Sequence, residues 1–323
     1  MKAAVVTPNG VEVLDVPTPV PQADQVLVRV HACGMNRADL AVAAGHSHGA
    51  IGGAGTIVGM EFAGEITAIG AGVSNVKPGD RVMCSGAAGY AEYAVADKGR
   101  VNLLPSKEMS FDEAATLPVA LQTMHNALVT VGGLTKGESV LIQGASSGVG
   151  IMAMQIAKFM GASLVIGSST NAARRAKLKD WGADLAVDTS NPAWADEVIA
   201  ATEGRGVHLI IDQVSASVAN ANLKAARVLG RIVNVGRLGG SKGEFDYDLH
   251  AMKRISYIGV TFRTRSVEEV REINRLMRED LWTAAAAGKL KLPIDRCFAL
   301  DEVVEALAYM KANKHFGKLV LRV

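Results

Sequence analysis

Residues 139–150 read SVLIQGASSGVG, and the rest of the chain can be organised outward from them. Val140, Leu141 and Ile142 form a short apolar run, Gly144 to Gly150 are small residues, and Val149, Met152, Ile156 and Phe159 then recur at helical spacing. A strand, a small-residue turn and a helix start together aim backbone N–H groups at a pyrophosphate, so Ser146, Ser147, Gly148 and Val149 are candidate contacts. The spacing departs from GxGxxG: Ala145 and Ser147 stand at the first two glycine positions, Gly150 at the third, and Gly144 and Gly148 are additional. Glycine-rich turns also occur simply to let a helix approach a strand, so the turn alone leaves two readings open.

Apolar bursts begin near Val140, Leu164, Leu185, Leu209, Arg231 and Ile255, at intervals of 24, 21, 24, 22 and 24 residues. Each interval accommodates one helix, and strands joined by such crossovers build a parallel sheet with helices on both faces. The expectation is a doubly wound, six-stranded parallel sheet. Its last strand, Ile255 to Val260, would lie at an edge, and an unpaired edge invites a second copy, hence an expected homodimer. Before the sheet, Gln25 to Val30, Glu65 to Ile69 and Tyr90 to Ala96 are short alternating or β-branched runs between turns, which read as a β domain. TPNG, Thr7 to Gly10, between Ala3 to Val6 and Val11 to Val16, reads as a hairpin. After about Thr264 come a charged helix, Val267 to Leu281, a helix from Glu302 to Lys311 with Asp301 as N-cap, and a closing strand, Lys318 to Val323.

From Ser139 to Lys179 there is no acidic residue, so the Asp or Glu that accepts from a free ribose, about 20 residues beyond the turn, is missing. The second strand ends instead in Ser168, Ser169 and Thr170, followed by Arg174, Arg175, Lys177 and Lys179, donors and positive charge suited to a 2′-phosphate. NADPH is the cofactor this pattern favours; a solvated basic helix face is the competing reading for Lys177 and Lys179. Asp212 closes the fourth burst, and Val235, Gly236 and Arg237 close the fifth, at carboxyl ends where ligands bind in open α/β sheets.

With 323 residues there is room for two domains, and 49% hydrophobic with 20% charged residues excludes a disordered chain. Basic and acidic residues number 34 and 32, and no basic stripe stands out, so a small molecule is expected as partner and nucleic acid is not. Cys33, Cys84 and Cys297 lie far apart without a CxxC pair, which fits a reducing compartment and an expected cytoplasmic location. Glycines and Lys158 interrupt the apolar stretch from Ser139 to Ser168, and the N-terminal residues carry polar and proline breaks. Neither a membrane span nor a signal segment is expected.

The stretches CGMNRADL (33–40), GMEFAGEITAIGAGV (59–73), KPGDRV (77–82), GYAEYAV (89–95), GASSGVG (144–150) and HFGKLVL (315–321) resemble, in this order, the medium-chain dehydrogenase/reductase superfamily. Within it they resemble the zinc-independent quinone oxidoreductases related to zeta-crystallin. The resemblance implies an α/β protein with a GroES-like β domain over residues 1–120, completed by 265–323, a Rossmann domain over 121–264, and an active site in the cleft. It implies that Asn36 contacts the nicotinamide or the acceptor oxygen, that Thr123 lines the nicotinamide ribose, and that Val260 to Arg263, Phe262 included, and Lys318 line the cleft. Asp39, three residues after Asn36, would face the same side of a helical turn and orient its neighbours or the substrate. Each has a plainer reading: Asn36 as a turn residue, Thr123 satisfying a helix carbonyl, Asp39 as an exposed helix carboxylate, Lys318 bracketing the last strand. His125 stands where relatives often carry an aromatic residue.

Zinc-dependent members hold catalytic zinc with a cysteine, a histidine and a further cysteine, and the matching positions are Cys33, Met60 and Val119. Two ligands are missing, so no metal is expected; His46 and His48 joining Cys33 and Glu61 would be an improvised site, against the plainer reading of a solvated loop. Without a Lewis acid, the accessible acceptors are those that take hydride readily, such as quinones or activated enones. The expected activity is hydride transfer from NADPH to a small quinone, with water supplying the proton. An enone or enoyl-thioester reductase, which needs a proton donor near the α carbon, and a catalytically silent NADPH-binding protein are the rivals.

Overall fold

Six strands in the middle of the chain hydrogen-bond as one wholly parallel sheet: β1 (Ser139–Ile142), β2 (Leu164–Ser168), β3 (Leu185–Val187), β4 (Val207–Asp212), β5 (Ala226–Asn234) and β6 (Ser256–Gly259). Their spatial order is β3-β2-β1-β4-β5-β6, so the winding reverses between β1 and β4, where open sheets of this type bind ligands at the carboxyl ends. Val140, Leu141, Ile142, Leu209, Ile210 and Ile211 are fully buried, as continuous apolar strands covered on both faces must be. This is the computed structural model of the chain, describing residues 1–49 and 51–323, and it divides into two units, Met1–Gln122 with Phe262–Val323 and Thr123–Thr261.

The helix after the small-residue turn, Gly148–Phe159, buries Ile151, Met152, Ala153, Met154, Ile156 and Ala157. That arc is wider than the predicted stripe, as suits a helix laid on a sheet, and Val149 is half-buried while Phe159 is exposed.

The other unit is built on a seven-stranded sheet. The strand Gln25–Gly34 is its hub, pairing antiparallel with Glu61–Ile69, Tyr93–Asp97 and Lys318–Arg322. Val26, Val28 and Val30 alternate into a core with Phe62, Ile66, Val82, Tyr90, Phe298, Leu319 and Leu321. The C-terminal strand completes this unit because Leu321 lies opposite Cys33, so the end of the chain shares a core with its beginning. The N-terminal hairpin forms as expected, Lys2–Thr7 against Gly10–Asp15.

Two element readings need correction. The charged helix runs Val267–Ala286, beyond Leu281: Ser266 and Glu269 form a reciprocal capping box, and the alanine-rich end has no helix breaker before Gly288. Asp301 is not an N-cap but lies in a 3₁₀ turn, Leu300–Glu302, that precedes the helix Val303–Lys311; Glu302 reaches back to the Ala299 N–H at 2.7 Å and satisfies that end. Among the described residues, no helix is long and apolar enough to cross a membrane.

Candidate active site and dinucleotide cradle

The turn between β1 and the following helix has the features of an anion cradle. Gly144 adopts φ +68°, a conformation in which a side chain is strained. Gly150 has no room for one: a Cβ there would lie 2.5 Å from the Gly144 carbonyl oxygen and 2.7 Å from Ala145 Cα. Ser147 is the N-cap, its Oγ accepting from the Gly150 N–H at 3.1 Å. The Gly148 and Val149 N–H groups, at the first helical positions, have no intrahelical carbonyl to bind and point out of the helix end, where the dipole favours negative charge. A pyrophosphate fits this donor set.

Below the turn runs a chain of buried hydrogen bonds across the strand ends. The Gly144 N–H donates to Ser168 Oγ (3.1 Å), Ser168 donates to Gln143 Oε1 (2.6 Å), Gln143 Nε2 to Asn222 Oδ1 (2.7 Å), and Asn222 Nδ2 to Asp212 Oδ2 (3.0 Å). Asp212 Oδ1 accepts from the Val214 and Ser215 N–H groups, both at 2.8 Å. Burial raises the Asp212 carboxyl above its ordinary range, and those donors oppose the shift. Satisfied networks of this kind rigidify what they support. Two expected cofactor contacts, Ser168 and Asp212, are thus buried and committed to holding the turn.

At the end of β2, Ser169 Oγ lies 3.2 Å from Ser146 Oγ, joining the hydroxyl cluster to the cradle. Thr170 is exposed and Arg174 half-buried on the short helix Ala172–Lys177, with Lys177 and Lys179 exposed. Arg175 is turned inward, donating to the Ser169 carbonyl at 2.8 Å and pairing with Asp188 at 2.9 Å. Val235, Gly236 and Arg237 follow the end of β5; the Val235 N–H donates to the Asp212 carbonyl and Arg237 is exposed. Thr123 is half-buried on the helix Pro118–His125, and Val260, after β6, is buried with its N–H on the Asn234 carbonyl.

In the other unit, Asn36, Asp39 and Lys318 come together. Lys318 is nearly fully buried and donates to Glu61 Oε1 (2.5 Å), Asn36 Oδ1 (3.0 Å) and the Met35 carbonyl (2.8 Å). Asn36 Nδ2 donates to Glu61 Oε1 at 2.8 Å, so its amide is fixed at both ends. Glu61 Oε2 accepts from the Val119 N–H at 2.8 Å. Asp39 begins the helix Asp39–Ala43 and is buried, not the exposed helix carboxylate of the plainer reading; its Oδ2 accepts from the Asn36 N–H (2.7 Å) and from the Tyr90 hydroxyl (2.6 Å). Among the described residues, Asp39 Oδ1 has no hydrogen-bond partner, and it is buried. Desolvation pushes the Asp39 carboxyl up to about 6, against the pull of Tyr90, Asn36 and Lys318, and it raises the Tyr90 hydroxyl as well. Phe262, in the same unit, is half-buried.

This donor set does not fit a catalytic zinc. Of Cys33, Met60 and Val119, only the cysteine carries a ligating group suited to the metal, and its Sγ is fully buried, donating to the Gly89 carbonyl at 2.8 Å, with its ionisation pushed far up by burial. Glu61, beside Met60, spends both carboxylate oxygens on Lys318, Asn36 and Val119. His46 is exposed and His48 half-buried on their loop, and among the described residues no three His, Cys, Asp or Glu side chains are placed to hold a metal ion.

Sequence reasoning named Glu61 only as an improvised metal ligand and passed over Tyr90, Gln143 and Asn222. The signal available was a charged residue inside the apolar run GMEFAG and amides in or beside apolar bursts, each of which demands a buried partner.

Residues 148–279 match the family model for zinc-binding dehydrogenases, and residues 22–106 match the alcohol dehydrogenase GroES-like domain. Human quinone oxidoreductase is 32% identical over 92% of the chain and 90% of its own length. A phenolphthiocerol/phthiocerol polyketide synthase of Mycobacterium tuberculosis is 30% identical over 94% of the chain, which spans only 14% of that synthase. Among solved structures, CurK enoyl reductase superposes with a TM-score of 0.87 at 27% identity, covering 99% of each chain. With a GroES-like domain, a parallel sheet of Rossmann order, and that match to nearly the whole of a quinone oxidoreductase, the chain belongs to the quinone oxidoreductase-like family of the medium-chain dehydrogenase/reductase superfamily and is an oxidoreductase that uses a nicotinamide cofactor.

Proposed function

We propose that this protein is an NADPH-dependent, zinc-free quinone reductase. The observation that carries the reading is Glu61, beside Met60: its carboxylate is engaged by Lys318, Asn36 and the Val119 N–H and is not free to ligate a metal. An acceptor that needs no Lewis acid suits such a site, and quinones meet that condition because their reduced oxygen is a stabilised phenolate.

The Gly148 and Val149 N–H groups with the Ser146 hydroxyl would hold the pyrophosphate, while the Ser147 hydroxyl, donating to the Gly144 carbonyl at 2.9 Å, holds the turn. Ser169, Thr170 and the basic helix Ala172–Lys177 face the ribose 2′ position, with Arg174 the candidate cation. The bound dinucleotide supplies a hydride. Lys318 and Glu61 clamp the Asn36 amide, so Asn36 orients the bound reactants through a fixed dipole and water protonates the reduced acceptor. Asp39 and Tyr90 keep the backbone at Asn36 in place. Val235, Gly236, Arg237, Val260, Phe262 and Thr123 are the further proposed contacts. Because β6 is an edge strand with Tyr257 exposed, two copies are proposed to pair through it, and the three free cysteines accord with a cytoplasmic protein.

A second reading, reduction of an enone or enoyl thioester, is favoured by the synthase and enoyl reductase relatives and by Asp39, a buried carboxyl held up to about 6 with an unpartnered oxygen. The test is a panel of small quinones, alkenals and alcohols, following dihydronicotinamide absorbance and product identity. Quinones turned over well above the others support the proposal; saturated products from alkenals, with quinones inert, transfer the assignment to the second reading.

A further inference from the structure

We propose that Asp188 sets how strongly this protein prefers the phosphorylated nucleotide, by holding Arg175 in an internal ion pair beside the 2′ position. The inference rests on the reading that the adenosine ribose lies at the end of β2. It explains what becomes of the acidic residue that the second strand lacks.

β3 lies beside β2 with Val187 opposite Ser168, and the Ser169 N–H donates to the Val187 carbonyl at 3.1 Å. Asp188, the next residue, therefore reaches the end of β2 from a neighbouring strand. Arg175 Nη1 donates both to the Ser169 carbonyl (2.8 Å) and to Asp188 Oδ2 (2.9 Å). Ser169 in turn touches Ser146 of the cradle. The Asp188 carboxylate also accepts from the Ser190 hydroxyl (2.6 Å) and N–H (3.0 Å), and these donors, with Arg175, hold its carboxyl below the usual range. An ionised carboxylate thus stands next to Ser169 at neutral pH.

Two consequences follow from charge alone. Arg175, whose guanidinium donates to the Ser169 carbonyl, is already compensated, so a 2′-phosphate meets less positive charge than the basic sequence promises. The pair as a whole carries no net charge, so it neither attracts the phosphate nor excludes a free 2′-hydroxyl. NADPH is preferred through the remaining donors, and NADH is admitted at a measurable level.

The test measures dissociation constants for NADPH and NADH with the wild type, Asp188→Asn, Arg175→Ala and the double variant. Asparagine keeps an acceptor for Ser190, so the turn survives. Asp188→Asn is expected to tighten NADPH about ten-fold, the scale of one charge-assisted phosphate contact, with NADH changed less than about two-fold. The double variant is expected to lose that gain. A purely structural role would move both nucleotides together. An unchanged NADPH-to-NADH ratio in Asp188→Asn, a gain that persists without Arg175, or a selective loss of NADH overturns the inference. Gly150→Val separates it from the underlying reading: loss of both nucleotides there upholds the cradle whatever Asp188 does, and retention of both removes the cradle itself.

Discussion

Asp39 is the residue in which burial and chemistry disagree most openly. Its carboxyl is fully buried, donors serve one oxygen only, and its titration is raised from 3.8 to about 6. The folded state therefore binds a proton more readily than the unfolded chain. The stability this contributes is complete below about pH 4 and is lost as pH rises through 6, an amount of about 3 kcal/mol. Denaturant midpoints of the wild type should fall across that window, and Asp39→Asn should flatten the fall; a parallel slope in the variant would place the proton elsewhere. Lys318 makes the opposite case, a buried cation fully compensated. Lys318→Met leaves the buried Glu61 carboxylate without its cation and should cost about 3–5 kcal/mol in unfolding free energy, with Glu61→Gln restoring part of it. The pair was unreadable from sequence: Lys318 and Glu61 stand 257 residues apart, and only the docking of the last strand beside Gln25–Gly34 joins them.

Among the elements, the turn from β1 into the helix Gly148–Phe159 was legible because its chemistry is local. Small residues, an N-cap serine and a glycine three positions later are contiguous in sequence and need no tertiary partner. Gly150→Ala puts a methyl group 2.5 Å from the Gly144 carbonyl oxygen, so it should cost about 1–3 kcal/mol and abolish dinucleotide binding by calorimetry. Ser147→Ala removes the cap together with the hydroxyl's bond to the Gly144 carbonyl, should cost about 1 kcal/mol, and should weaken binding without ending it. What the turn rests on was not legible. Gln143 follows β1, Asp212 ends β4 and Asn222 lies on the helix Ala219–Ala225 after it, and the bond from Gln143 to Asn222 exists only once β1 and β4 are neighbours. Asp188 escaped for the same reason: the search for an acidic residue followed β2 along the chain, while the carboxylate arrives sideways from β3.

For the molecule as a whole, periodic spacing foretold the parallel sheet because one crossover helix per strand is a requirement of geometry, and the order β3-β2-β1-β4-β5-β6 follows from winding outward in both directions from β1. The β-rich unit was harder, since its sheet joins strands from both ends of the chain and local runs carry no register. If β6 pairs with its counterpart in a second copy, light scattering should give twice the chain mass, and a charged residue at exposed Tyr257 should halve it. The chemistry proposed for the whole molecule is reduction by a nicotinamide cofactor at a site whose buried cation is a lysine and whose acceptor needs no metal. The decisive experiment is quinone-dependent NADPH oxidation by protein dialysed against a strong chelator, with metal content determined on the same sample. Turnover that is equal before and after dialysis, in protein with no stoichiometric metal, is the expected result; activity that disappears with the metal and returns on adding zinc refutes a metal-free reductase.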